Sequence, residues 1–126
     1  MIKVVGTREG NKRTVGTAYE DKAVLLLQDK GYKILERNFY THHGEIDIVA
    51  KDGGYLVFVE VKYRRNDTAG TALAAVTPQK QRRLWQAARY YLYKNYYSAA
   101  EVPCRFDVVA FEGEEVVHIR DAFQGK

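Results

Sequence analysis

A chain of 126 residues, 46% of them hydrophobic and 29% charged, has the composition of one globular domain with a single core. No stretch is long and apolar enough to span a membrane, and the first residues lack the apolar run of a secretory signal. We therefore expect a cytoplasmic protein without a membrane partner. The single cysteine, Cys104, excludes an intramolecular disulfide and is expected to fill space in the core.

The net charge of +4 is unevenly distributed along the chain. Between Val61 and Ala100 there are eight lysines and arginines and one acid, Asp67, so this stretch carries +7 and the remainder −3. A local basic field of this kind is typical of a surface that binds a polyanion. A solvated helix face is the alternative interpretation.

The first elements in chain order are a lead-in and a helix. Residues 1–15 are polar and basic, and we expect a loosely ordered lead-in before a single domain at 16–126. Apolar spacing from Gly16 predicts a helix that ends at Gly31. Its inner face is predicted to hold Gly16, Tyr19, Ala23, Val24 and Leu27.

The remaining pattern predicts five strands and a second helix. Strands are expected at 32–40, in two segments within 44–62, at 104–111 and at 115–123. A helix over 78–97 would start at Thr77, with Pro78 in the first helical position. The order α-β-β-β-α-β-β predicts an α/β fold with a central mixed sheet flanked by helices.

The strand pair "GEIDIVAKDGGYLVFVEVK" combines apolar residues with charged ones. Side chains alternate along a strand, which places Glu45 and Asp47 on the face opposite Ile46 and Ile48. The second strand places Leu56, Phe58, Glu60 and Lys62 on one face. A turn at Gly53-Gly54 would set Asp47 directly opposite Glu60 and Glu45 opposite Lys62, whereas a turn at Asp52-Gly53 would leave them diagonal neighbours.

Two carboxylates that face each other across a strand pair repel and lower stability. A divalent cation held between Asp47 and Glu60 would compensate, and oxygen ligands suit Mg²⁺, with Mn²⁺ as a substitute. Lys62 would then orient a metal-bound water or stabilise charge on a phosphate. A surface ladder of salt bridges is the alternative.

Glu20 is an acid on the inner face of the first predicted helix. An unpaired carboxylate there is costly, so a partner is required. Either Glu20 joins the Asp47–Glu60 pair as a third metal-binding acid, or it forms a salt bridge within the core.

Five segments together resemble a known family, and they extend over about residues 14–123. They are "GTAYE" with "GYKILERN", "GEIDIVA", "VFVEVKYR", "PQKQRRLWQAARYYL" and "RFDVVAF". In this order they resemble the YraN-like predicted bacterial endonucleases. That family is placed in the PD-(D/E)xK, restriction-endonuclease-like nuclease superfamily, near Holliday-junction resolvases.

The resemblance implies roles for individual positions of this chain. Asp47 matches the metal-binding aspartate of the superfamily, and Glu60 and Lys62 match the acid and the lysine of its ExK element. Ile46 stands where the superfamily name has proline. The other implied site residues are Glu20 as the acid from the first helix, the Val61 carbonyl as an additional ligand, and Glu45 as a feature of the GEID signature.

The second predicted helix is a candidate partner surface. Its apolar face holds Leu84, Trp85, Ala88, Tyr91 and Leu92. The opposite face interleaves basic and aromatic residues, which suits contacts with phosphates and stacking on unpaired bases. A tyrosine-rich interface, for example of a homodimer, is the alternative. The nucleic-acid-binding candidates are Arg64, Arg65, Lys80, Arg82 and Arg83. Among them, Lys80 is placed to reach the acids. Outside this helix, His42 and His43 are expected in an exposed loop.

The sequence contains no Gly-x-Ser-x-Gly elbow, no Walker loop and no zinc-type spacing of cysteine and histidine. Our first hypothesis is a Mg²⁺-dependent endonuclease that acts on DNA, including branched or structured DNA. A second is a non-catalytic DNA-binding module that keeps the nuclease fold. A third is a tyrosine-rich protein that associates with itself.

Overall fold

The structure, a computed structural model, describes residues 8–64, 73–98 and 100–124. Two helices and five strands follow the predicted order, and a short helical turn, Leu73–Ala75, precedes the second helix. The elements are α1 (Arg8–Asp29), β1 (Lys33–Thr41), β2 (Gly44–Asp52), β3 (Tyr55–Arg64), α2 (Pro78–Lys94), β4 (Cys104–Glu112) and β5 (Glu115–Phe123).

Both helices differ in length from the sequence prediction. Helix α1 begins at Arg8, eight residues before the expected start at Gly16, and residues 1–7 of the expected lead-in lie outside the described part of the chain. Helix α2 ends at Lys94 rather than at residue 97. The side chain of Asn95 donates to the Tyr91 carbonyl at 2.9 Å, and Tyr96 takes a left-handed φ of 64°, so the helix cannot continue.

The five strands form one mixed sheet in the order β1-β2-β3-β4-β5, which confirms the predicted α/β fold and is consistent with a restriction-endonuclease-like architecture. The pairs β1–β2, β2–β3 and β4–β5 are antiparallel hairpins, and the crossover through α2 makes β3 and β4 parallel. The turn at Gly53-Gly54 pairs Asp52 with Tyr55, as the first of the two predicted registers requires.

Helices α1 and α2 cover opposite faces of this sheet. Leu84 and Tyr91 of α2 pack with Leu56 and Phe58 on one face. On the other face Ala23 and Leu27 of α1 pack with alternate residues of the central strands, among them Val57, Val59 and Val109. Because β3 is covered on both sides, it is a continuous apolar run until Glu60. In the described part of the chain, no helix is long and apolar enough to cross a membrane.

The alternation of β2 is interrupted at Asp47, which corrects the simple two-face assignment. Ile46 packs on the α2 side although Ile48 packs on the α1 side. On β1, Asn38 lies between Arg37, which pairs with Ile48, and Phe39, which pairs with Ile46. Asn38 has a left-handed φ of 54°, a conformation that asparagine tolerates better than most residues. This local irregularity decides where the neighbouring acids point.

A buried polar network joins the end of α1 to β4 and β5. The carboxylate of Asp107, which is fully buried, accepts hydrogen bonds from the Tyr32 hydroxyl at 2.9 Å and from Arg105 Nε at 3.0 Å. His118 Nε2 lies 2.9 Å from the same carboxylate, and Arg105 also pairs with Asp52 at 2.8 Å. Burial alone would raise the pKa of Asp107, but these hydrogen bonds outweigh it and lower the pKa to about 2.

We expect Asp107→Ala to lower the free energy of unfolding by about 3 kcal/mol, because the buried Arg105 would lose one of its two carboxylate partners and keep only Asp52. The melting temperature should fall by roughly 10 °C. In the wild-type protein, the contribution of a carboxyl with a lowered pKa is present above about pH 4 and is lost as the pH falls toward about 2. Urea denaturation measures the loss of stability in Asp107→Ala and the pH dependence of the wild type. Glu114→Ala, on the exposed β4–β5 turn, is the control. Equal stability of Asp107→Ala and Glu114→Ala would contradict the role of the network.

Candidate metal and nucleic-acid site

Asp47 lies where strands β2 and β3 part. The last paired residues of their ladder are Ile48 and Val59, so the next position along would join Asp47 with Glu60, in the predicted register. The Asp47 side chain takes over the hydrogen bonding there, because its Oδ2 accepts the Val61 N–H at 2.8 Å. The carboxylate is therefore held in a fixed orientation by the β3 backbone.

Three carboxylates converge beside this point. One oxygen each of Glu20, Glu45 and Asp47 lies within 4.8 Å of the other two. The amide of Asn38 donates to Glu20 Oε1 at 3.0 Å and to Glu45 Oε2 at 2.8 Å, and it holds both acids in place. Glu20 thus lies beside Asp47 and Glu45, and it also lies 3.7 Å from the Arg37 guanidinium, so the geometry contains elements of both predicted alternatives.

The expected pairing of Glu45 with Lys62 is wrong in this structure. Glu45 turns toward the α1 side and joins the acids, whereas Lys62 lies beside Glu60. The cause is the interrupted alternation at Asp47, which reverses the direction of the side chains before it. Arg37 is a neighbour that the sequence did not reveal, and its guanidinium contacts Asp21 at 2.7 Å and Glu20 at 3.7 Å.

Glu60 is the buried acid on the other side of Asp47, with a side chain only 5% exposed. Its Oε2 lies 3.5 Å from Lys62 Nζ and 3.5 Å from Lys80 Nζ, so α2 supplies a second ammonium, as predicted. Its Oε1 is buried and has no hydrogen-bond partner among the described residues. A buried carboxylate oxygen without a partner is costly, and a cation would satisfy it.

The crowding of acids changes how they bind protons. The pKa of Asp47 is raised to about 8, mainly by burial and then by the charge of Glu60. The charges of Glu20 and Glu45 raise it more weakly, and the hydrogen bond from the Val61 N–H acts in the opposite direction. Burial also raises the pKa of Glu60, and the two lysines offset part of that increase. Acids with raised pKa values at one point in a fold are typical of a functional site.

Further basic residues lie on α2 and at the end of β3. Arg82 and Arg83 are exposed on α2, and the Arg83 Cβ lies beside Gly44, where an added Cβ would approach to 3.6 Å. Arg64 is the last residue of β3, and Arg65 lies outside the described residues. His42 and His43 occupy the exposed β1–β2 turn, as expected, with ring centroids 4.0 Å apart.

Fold and site together define an α/β protein with a candidate divalent-cation site at the junction of β2, β3 and α1. The chain belongs to the uncharacterised protein family UPF0102, whose family model matches residues 19–111. This result confirms the YraN-like resemblance. The matched segment contains all the acids of the site together with Lys62 and Lys80.

Relatives in several bacteria match almost the whole chain. A UPF0102 protein of Lachnoclostridium phytofermentans is 50% identical over 113 residues, which cover 90% of this chain and 95% of the relative. The UPF0102 protein YraN of Escherichia coli strain K12 is 44% identical over 127 residues, which cover 97% of each chain. A relative in Klebsiella pneumoniae is 43% identical over 111 residues, 88% of this chain and 87% of its own.

Proposed function

We propose that this protein is a cytoplasmic, metal-dependent endonuclease that hydrolyses phosphodiester bonds in DNA. The observation that carries the proposal is the buried, unpartnered Oε1 of Glu60 beside Asp47, within reach of two lysines. Acids that hold a cation next to ammonium groups that hold a phosphate form the set that phosphodiester hydrolysis requires.

The residues present fit a small, hard cation. Asp47 and Glu60 would hold Mg²⁺ or Mn²⁺. Glu20 and Glu45, which lie within 4.8 Å of Asp47, and the Val61 carbonyl would be further oxygen ligands. The raised pKa of Asp47 supports the same conclusion, because a cation would relieve the repulsion among acids that now favours protonation. Bound there, the cation supplies a water of lowered pKa and neutralises charge on the phosphate.

The side chains of this protein contribute position and charge. The Val61 N–H fixes the Asp47 carboxylate, and Asn38 fixes Glu20 and Glu45. Lys62 lies on a strand two residues after Glu60, so it is held rigidly where it can orient the attacking water and hydrogen-bond a phosphate oxygen. Lys80 and the arginines Arg64, Arg65, Arg82 and Arg83 would bind the DNA backbone.

The second candidate, a non-catalytic DNA-binding module, is favoured by one observation. Lys62 and Lys80 already neutralise Glu60 without a metal. In that case DNA binding would be salt-sensitive and independent of divalent cations. Metal dependence of cleavage separates the two candidates.

We expect Glu60→Gln to lower Mg²⁺-dependent cleavage by at least about a hundredfold, because the amide cannot supply the anionic ligand. The assay follows labelled branched, single-stranded and duplex DNA with Mg²⁺, with Mn²⁺ and with a chelator. Glu101→Gln, on an exposed loop far along the chain from the acids, is the matched control and should cleave at the wild-type rate. Wild-type cleavage by Glu60→Gln, or cleavage that survives the chelator, would overturn the proposal.

A further inference from the structure

The solvent side of helix α2 carries a row of basic and aromatic side chains that extends beyond the acidic site. We call this row the α2 outer face; its members are Arg82, Arg83, Gln86, Arg89, Tyr90 and Tyr93, and all are exposed. Tyr93 is 78% exposed and Tyr90 is 45% exposed. With His43 from the β1–β2 turn, the second half of this face lines an open groove of about 480 Å³.

The charge of the α2 outer face selects the kind of partner. Pro78–Lys94 contains no acidic residue, and its arginines and lysines recur along the exposed side. A contact between two copies of this surface would bring like charges together, which disfavours a symmetric dimer here. A polyanion is complementary to the whole row.

The aromatic rings select the form of the polyanion. The centroids of Tyr90 and Tyr93 lie 6.3 Å apart, so they present two adjacent surfaces to solvent. Base faces in a duplex are already stacked on each other, whereas those of an unpaired strand are free to stack on tyrosine. Phosphates of the same strand would lie on the neighbouring arginines.

The α2 outer face also leads toward the acidic site. Lys80, near the start of the helix, lies 3.5 Å from Glu60, and Tyr93 lies thirteen residues further along the same helix. At about 1.5 Å per residue the separation is about 20 Å, the length of roughly six nucleotides at about 3.4 Å each. A strand that follows this face would reach the candidate catalytic acids.

We propose that the α2 outer face binds single-stranded DNA and feeds it to the acidic site, so that the substrate has an unpaired segment of about six nucleotides beside the cleaved bond. The link to cleavage rests on the proposed nuclease function. The binding surface itself does not.

Fluorescence anisotropy with a labelled oligothymidine of about twelve nucleotides tests this proposal, in the presence of a chelator so that nothing is cleaved. We expect the single strand to bind at least about tenfold more tightly than a duplex of the same length, and the double variant Tyr90→Ala/Tyr93→Ala to weaken it about a hundredfold. Phenylalanine at both positions should preserve binding. Tyr55→Ala is the matched control, because Tyr55 is also 45% exposed but lies at the start of β3, outside the α2 outer face.

Unchanged binding by the double alanine variant would overturn the proposal, as would tighter binding of RNA than of DNA. Sedimentation that reveals a dimer which this variant dissociates would reassign the face to self-association. Tyrosine-dependent binding without cleavage under any metal condition would support the surface and refute the nuclease. Metal-dependent cleavage that is unchanged in Tyr90→Ala/Tyr93→Ala would support the nuclease and refute the binding surface.

Discussion

Replacing Asp47 with asparagine is expected to reduce metal-dependent cleavage about a thousandfold and, at the same time, to stabilise the metal-free protein. The first effect follows because asparagine is neutral and binds a hard cation weakly. The second follows because burial and three neighbouring acids disfavour the charged form of Asp47. The same crowding that would serve cation binding thus costs stability when the cation is absent.

The pH dependence of this stabilisation has a defined sign. The pKa of Asp47 is raised to about 8 in the folded protein. The stability that the protonated side chain contributes is therefore fully present below about pH 4 and declines as the pH rises toward about 8. Asparagine resembles the protonated form at every pH. The difference in melting temperature between Asp47→Asn and wild type should therefore grow from pH 5 to about pH 8 and reach roughly 5 °C.

Thermal unfolding in a chelator measures this difference. Adding Mg²⁺ or Mn²⁺ should raise the melting temperature of the wild type and leave the variant unchanged. Asp29→Asn, at the exposed end of α1, is the control and should shift stability by less than about 0.5 kcal/mol. A destabilised Asp47→Asn, or one that still responds to the cation, would contradict the assigned role of this acid.

Lys62→Ala is expected to lower the cleavage rate at saturating DNA by about a hundredfold to a thousandfold. The side chain extends from β3 beside Glu60, where its ammonium would act on the phosphate or on the attacking water. Because it acts in the reaction rather than in binding, kcat should fall while KM changes little.

Lys80→Ala provides the internal comparison, since Lys80 Nζ lies at the same 3.5 Å from Glu60 Oε2 but projects from α2. We expect this variant mainly to raise KM and to reduce the salt dependence of binding, as for a residue that holds the DNA backbone. Single-turnover rates over a range of DNA concentrations separate the two effects. Unchanged kcat in Lys62→Ala would remove this lysine from the catalytic set.

Much of the site could be predicted because its determinants are local and periodic. The Gly-Gly turn fixes the β2–β3 register, in which the position after the Ile48–Val59 pair would join Asp47 with Glu60. Helical spacing places Glu20 on the inner face of α1 and Lys80 near the acids on α2. Each of these predictions needs only the period of a helix or strand and the geometry of one turn.

Other features depend on contacts between distant segments and were not predicted. Glu45 joins the acids beside Asn38, which has a left-handed backbone conformation in the neighbouring strand and donates to Glu45, and no spacing rule within β2 contains that information. An asparagine within the run "LERNFY" is the one available signal, since asparagine tolerates this conformation. The Asp107–Arg105–His118 network likewise joins residues from paired strands through tertiary contacts that periodicity does not encode.

The proposed nuclease requires that Asp47 and Glu60, supported by Glu20 and Glu45, hold a divalent cation. Soaking crystals at about pH 8 in millimolar Mn²⁺ tests it without any choice of substrate, because this pH favours ionised acids. We predict an anomalous peak between Asp47 and Glu60, with a carboxylate of Glu20 or Glu45 in or beside its ligand shell. If no anomalous peak appears there and Lys62 and Lys80 still neutralise Glu60, the proposed metal site is contradicted.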